Sequence, residues 1–300
     1  MRSGKTGWRW GLLLWLLPWL AAATPAPTLF TFRAAETKGD LRNRYDMALL
    51  QLALEKTRSG YGDYQLQPSP PMNTQRAEQE LEKSTYPNFI IKQSYNPRYE
   101  QRGALRGRYD VDLGVVGYRV CFTRQGLLPA LATVTSAAQL KPYLFGLGTG
   151  WMDVPILKHH GFKVLEVGSY KSLFPMAARG RFDLFCRGIN EVADEQAEAA
   201  RQPGLVLEPT LMIYYDLPRF FYANARDKAA LARVDAGIQL AAADGSLQAL
   251  WQQYYLPSIQ QVQPQRRHLL RLSNPLVEAL QWDPKQLVFD PLSGTFQPRR

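Results

Sequence analysis

Between residues 125 and 209, helix-forming and strand-forming stretches alternate in strict turn. SAAQLK (136–141) reads as a short helix, YLFGLG (143–148) as a strand and DVPILKHH (153–160) as a helix. KVLEVG is then a strand, SYKSLFPMAARG a helix, RFDLFC a strand, INEVADEQAEAARQ a helix and LVLEP a strand. Strand and helix in alternation, with short connections, build a mainly parallel sheet covered by helices. Two long β-prone runs, 111–124 and 210–224, bracket this unit. Before it stand LFTFR, DMALLQLALEKTR, YQLQPS, NTQRAEQELEKS and NFIIKQ, and after it DKAALARVDAGIQLAAA and GSLQALWQQYY. These flanks read as two parts of one further α/β unit. An inserted lobe on two connecting strands implies a cleft with a hinge at the connectors.

The expected organisation is a first lobe from 24–123 and 219–261, with a second lobe, 124–218, inserted into it. A Pro-rich, irregular tail, 262–300, is expected to pack back on the first lobe. The segment 94–110 reads as a loop. Residues 1–23 carry Arg2, Lys5 and Arg9, then GLLLWLLPWLAAA, then the small residues Ala21 to Ala23. That order of charge, short apolar run and small residues is a cleaved secretory signal, which places the mature chain in the periplasm. About a dozen apolar residues are too few for a permanent membrane span.

The formal charge of +10 admits nucleic acid, an anionic surface or acidic small ligands as partners. Export and the lack of base-stacking aromatics through 98–108 argue against nucleic acid. The chain has two cysteines, Cys121 and Cys186, each in an apolar run. An oxidising compartment permits a bridge between them, and the sequence leaves the pairing open.

The stretch LFGLGTGWMD (144–153) carries the clearest site signal. A strand, a glycine turn and a helix start together form an anion-binding arrangement. Gly148, Thr149 and Gly150 are expected to offer amides and a hydroxyl to that anion, with Trp151 as an aromatic wall of the cleft and Asp153 capping the helix. Gly146 and Gly148 match the start of a dinucleotide fingerprint, but Trp151 stands where its third glycine belongs. This argues against a nicotinamide cofactor, and no cofactor is expected. Arg187 follows the apolar strand FDLFC, where a guanidinium suits a carboxylate or phosphate. Asn190 and Glu191, in the next turn, suit a cation or a hydroxyl. Equally, Arg187 and Glu191 are spaced to pair with each other one helical turn apart. His159 and His160 are adjacent and diverge on a helix, so they make a poor metal pair. No catalytic motif is present.

The run GYR (117–119), FGLGTGWMD, GSYKSLF (168–174), GRFD (180–183), RGINEV (187–192), YYDLPRFFY (214–222), DGSLQALWQQYY (244–255) and SNPL (273–276) follows one order. That order resembles the family 3 extracellular solute-binding proteins. The resemblance implies a two-lobed type II periplasmic-binding-protein fold, each lobe a mainly parallel sheet flanked by helices, joined by two hinge strands. It also implies a monomer that captures a small anionic or zwitterionic solute for an ABC permease or a membrane sensor, without catalysis. Arg98 and Tyr118 are the expected contacts from the first lobe. The chain departs from the amino-acid binders of that family at two places. SYNPRYE (94–100) brings Arg98 one place early, and Gly188 stands where an ammonium-binding aspartate is usual. The alternatives are an exported dehydratase-like enzyme on the same fold, or a sensor or protein-binding module.

Overall fold

A computed structural model describes residues 1, 4, 26–37, 39–278, 280, 281, 283 and 286–299. The expected signal segment lies outside the described residues, apart from Met1 and Gly4. The strands are β1 (Thr28–Phe32), β2 (Tyr64–Pro68), β3 (Phe89–Ser94), β4 (Ala104–Arg106), β5 (Tyr118–Arg124), β6 (Leu144–Gly148) and β7 (Lys163–Val167). They continue as β8 (Phe185–Gly188), β9 (Leu205–Leu207), β10 (Leu211–Tyr214), β11 (Arg219–Asn224), β12 (His268–Arg271), β13 (Leu287–Asp290) and β14 (Thr295–Pro298).

The first lobe is built on a sheet in the order β2-β1-β3-β11-β4. Helices Arg44–Lys56 and Lys228–Ala243 pack on each other and help cover it. Leu49, Leu50, Ala53 and Leu54 lie on one face of the first of these helices, and all are buried. That is the apolar stripe a core-facing helix requires. The second lobe carries the parallel pair β6-β7, joined to the β8 strand line by a bridge from Phe145 to Leu184. Beside them runs the sheet β12-β10-β5-β8, with β9 also pairing with β5. The strands that enter and leave the lobes, β5, β10 and β11, run antiparallel to neighbours within them.

The β-prone run 210–224 is two strands rather than one. β10 belongs to the second lobe and β11 to the first, and the chain crosses between them at 215–218. Pro218 lacks the N–H a continuous ladder would need. The run 111–124 is likewise a strand only from Tyr118; residues 107–117 form the other crossing. The segment 94–110, read as loop, contains a short helix (Pro97–Gln101) and β4.

The tail also departs from the irregular reading. β12 pairs parallel with β10, so this part of the tail joins the second lobe's sheet rather than the first lobe. The β13-β14 hairpin then returns to the crossing, where Phe289 N–H donates to Leu113 O at 2.8 Å. Phe289 and Phe296 pack on the buried Trp251, with ring centroids 4.6 and 5.1 Å away.

Cys121 and Cys186 face each other in register on β5 and β8 and form a disulfide. The pairing the sequence left open is set by this strand register. The bridge closes a separation of 65 residues and ties an entering strand to the inserted lobe. Replacing both cysteines by alanine should lower stability by about 2–4 kcal/mol, read from the midpoint of urea unfolding.

Candidate functional site

Both lobes send charged side chains into the space between them. From the first lobe, Lys92 on β3 reaches Asp112 at 2.7 Å, Asp46 at 2.5 Å and the Tyr255 hydroxyl at 3.2 Å. Asp112 is held in turn by the Tyr255 hydroxyl at 2.9 Å, while the Trp251 indole N–H donates to its backbone carbonyl. At the crossing, Arg119 on β5 is 1 % exposed and pairs with Asp153 of the second lobe. The Tyr215 hydroxyl donates to the same carboxylate oxygen at 2.5 Å. Asp153 thus anchors a guanidinium rather than capping its helix. Burial works against the Arg119 charge, but Asp153, Tyr215 and Glu191 together outweigh it and the pKa rises.

In the second lobe, Arg187 is 2 % exposed. Its Nε donates to Glu195 at 2.8 Å and its Nη2 to Glu191 at 2.7 Å. Its guanidinium lies 4.5 Å from the Trp151 ring centroid, a cation–π distance. The pairing of Arg187 with Glu191, one of the two readings of this spacing, is present. Glu195 joins it as a partner the sequence did not suggest. Glu191 also accepts the Gly188 N–H at 2.8 Å and lies 3.5 Å from Arg119. Burial alone would raise the Glu191 pKa. Arg187, Arg219 and Arg119, with the Gly188 amide, hold it down to about 2. A side chain at position 188 would meet Asn190 Oδ1 at 2.4 Å and Glu191 Oε2 at 2.9 Å, so it would have to displace these two groups.

Two small cavities open into the cleft, of about 90 and 70 Å³. Arg42, Lys92, Glu191 and Arg219 line both. The smaller is basic, with Arg33, Arg42, Lys92, Arg119, Arg187 and Arg219 against Asp46, Asp153 and Glu191. Burial, with Arg42 close by, lowers the Arg33 pKa, as expected of a cation short of counter-charge. Gln93, 9 % exposed, lines this cavity with its Nε2 unpartnered, and Arg219 Nε makes no hydrogen bond, its nearest carboxylate being Asp112 at 3.8 Å. The larger cavity carries Tyr45, Tyr170, Tyr254 and Tyr255 beside Asp194, Glu195 and Glu198. Asn190, 7 % exposed, also lines it, with its unpartnered Oδ1 buried against Gly188. Among the described residues, no group of three or more His, Cys, Asp or Glu is placed to hold a metal ion.

The residues expected to form one anion site are therefore distributed. Gly150, Trp151, Arg187 and Glu191 line the basic cavity, and Asn190 and Glu191 line its neighbour. Gly148 and Thr149, with Trp151, line a third space of about 110 Å³ against Asn73 to Gln75 of the first lobe. The glycine turn spends its amides internally: Thr149 N–H donates to Val167 O and Trp151 N–H to Gly148 O. Gly148 makes room for the indole, because a Cβ there would lie 2.4 Å from Trp151 ring atoms. Arg98 is exposed at the start of its short helix and lines neither cleft cavity. Tyr118 lies elsewhere, against Tyr214 at 4.5 Å, in a separate cavity of about 480 Å³ shared with Asp216, Arg271 and the hairpin. Neither of these two expected first-lobe contacts is at the cleft cavities. Lys92, Gln93, Arg42 and Arg219 stand there instead.

No protein-family model and no curated protein matches the chain. Solved structures do. A periplasmic binding protein of Salmonella typhimurium with high arginine specificity matches with TM-score 0.57 and 14% identity, over 77% of this chain and 100% of that one. The fold is that of the bilobal solute-binding proteins. The BvgS VFT2 domain of Bordetella pertussis has the same fold, with TM-score 0.57 and 14% identity over 76% of this chain and 93% of that domain. A structure from glutathione import through GshT and the cystine ABC importer of Streptococcus mutans matches with TM-score 0.56 and 12% identity. It spans 77% of this chain and 95% of its own. Each match takes in nearly all of the other protein, so this chain extends beyond the shared solute-binding fold.

Two outcomes follow from the ion network. Arg187→Ala strands two buried carboxylates and should cost about 3–5 kcal/mol in urea unfolding, with or without solute. Glu191 is an acid whose pKa falls on folding, from 4.5 to about 2. Its contribution is complete above the unfolded pKa and disappears as pH falls through the folded one. Glu191→Gln should thus be less stable than the wild type at neutral pH, and the two unfolding curves should converge as pH drops toward 2.

Proposed function

We propose that this chain is an extracytoplasmic solute-binding protein that captures a small anionic or zwitterionic solute between its lobes. The observation that carries the reading is the basic cavity with the buried, unpartnered Gln93 amide beside the Arg219 guanidinium, whose carboxylate neighbours come no closer than 3.8 Å. A buried donor without an acceptor is costly, and an anion at the cleft relieves it. Asn190, which lines the adjoining cavity, carries the complementary amide for an ammonium or another donor. Binding without turnover agrees with the neighbours, which include amino-acid ABC transporter proteins and sensor domains. The two cavities fall below the 300–1,000 Å³ usual for small-molecule sites, so admission of solute requires the lobes to part. An ABC permease or a membrane sensor is the partner that a monomer of this kind serves. The export signal read at residues 1–23 fits a periplasmic location.

A thermal-shift screen of amino acids, carboxylates, short peptides, sugar acids and phosphates tests the reading. A true solute at a hundredfold excess over Kd should stabilise the protein by about 2.7 kcal/mol. Mass spectrometry should find it unchanged. Gln93→Leu should then weaken binding several-fold while leaving the solute-free melt nearly in place, because Gln93 Nε2 has no internal partner to lose. Conversion of the compound would make this an enzyme. No response to any compound would leave only a protein-binding role.

A further inference from the structure

The connection from β1 to helix Arg44–Lys56 carries Arg42, which the proposed solute contacts do not use. Its guanidinium carbon lies 3.7 Å from the ring centroid of Tyr170, across the cleft on the second lobe. The first lobe fixes this side chain in its own plane. Nε and Nη2 donate to the two Asp40 oxygens at 2.9 and 2.7 Å, and Nη2 also reaches Glu36 at 3.2 Å. A guanidinium held by carboxylates at its edge still presents a flat, weakly hydrated face for stacking. The connection is itself pinned, since Asn43 Nδ2 donates to the carbonyls of Arg33 and Ala34 at 3.3 and 3.2 Å. On the other side, the Tyr170 hydroxyl donates to Glu195 at 2.8 Å, and Glu195 grips Arg187. Tyr170 is thus as well braced as Arg42. The two meet where the cleft cavities adjoin, and Arg42 lines both.

We infer that Arg42 and Tyr170 form a latch that holds the lobes together without solute, so that a solute must displace Arg42 before the cleft admits it. The contact joins the two lobes through side chains that each lobe positions on its own. Other contacts between the lobes include ion pairs at longer range, Arg219 to Glu191 at 3.9 Å and Arg44 to Asp194 at 4.0 Å. The Ser258 hydroxyl, on the helix Ser246–Val262, also donates to Ile189 O and accepts the Ala193 N–H. Closure by an internal contact makes the solute-free protein mostly closed, and the binding-competent fraction correspondingly small.

The latch can be tested with no solute present, so its failure is distinct from failure of the solute-binding reading. Spin labels at Lys83→Cys in the first lobe and Lys163→Cys in the second report the distance between lobes. The protein is refolded from denaturant beforehand to remove anything carried through purification. The wild type should show one short-distance population. Arg42→Ala and Tyr170→Leu should each raise the ratio of open to closed molecules by roughly five- to tenfold, the scale of a partly desolvated cation–π contact. Tyr170→Phe keeps the ring and should remain close to wild type, which separates stacking from the hydroxyl's bond to Glu195. If Arg42→Ala does not fold, Tyr170→Leu against Tyr170→Phe still decides. An open wild type, or a Tyr170→Leu distribution identical to it, would overturn the latch.

Discussion

A guanidinium in the middle of a buried strand must be met by a carboxylate, and Arg119 imposes that condition on the centre of this molecule. It lies on β5, where the chain enters the second lobe, and its partner Asp153 begins the helix after the glycine turn. Leaving either charge alone in the interior would cost several kcal/mol, so the pair fixes that helix against the entering strand. Glu191 extends the arrangement to Arg187 and Glu195. The cleft wall of the second lobe is therefore a set of mutually compensating ions, braced from behind by the disulfide between β5 and β8. The first lobe answers with Lys92 set between Asp46 and Asp112, and with Arg219 3.8 Å from the second Asp112 oxygen. What is left uncompensated between them is a small basic excess at the cleft.

This design separates rigidity from recognition. Charges that are fully paired hold shape, and substituting them damages the fold before it alters binding. The groups that remain incomplete, such as the Gln93 amide, cost little internally if removed, whereas Arg219 also serves as a counter-charge to Asp112 and Glu191. Groups like Gln93 are where specificity can change without loss of structure. The neutral amide at Asn190 and the glycine at 188 also make this wall less acidic than one that carries an aspartate for an ammonium group.

The alternation of strand and helix made the inserted lobe legible, and with it the two crossings and the cleft. The limits of the reading have local causes. The run 210–224 hid a change of lobe because Ile, Tyr and Phe on both sides of Pro218 have the same strand preference. RFDLFC placed its strand early: β8 runs over 185–188, since Asp183 is drawn off to accept the Leu144 amide at 2.9 Å and pair with Arg124 at 3.0 Å. The tail's three short strands lack the length that makes alternation visible. At the site, LFGLGTGWMD is a turn between strand and helix as its sequence implies, and the Trp151 indole fills the space above Gly148. Arg119 in YRVCF, Lys92 in FIIKQ and Arg187 in FCRG share one signal that was within reach: a lone cation inside an apolar strand. Their partners sit far away in the chain, and only the fold brings them together.

The pairing of β12 with β10 has a consequence for the molecule's life in solution. β10 has β5 on one side, and on the other its backbone amides and carbonyls face β12 over Leu211 to Tyr214. Stripped of that cover by proteolysis upstream of His268, β10 would become an open edge flanked by the apolar side chains of Leu211, Met212 and Ile213. Such an edge recruits strands from other molecules. β12 thus covers an edge that, once bared, would favour self-association of molecules whose lobes are otherwise folded.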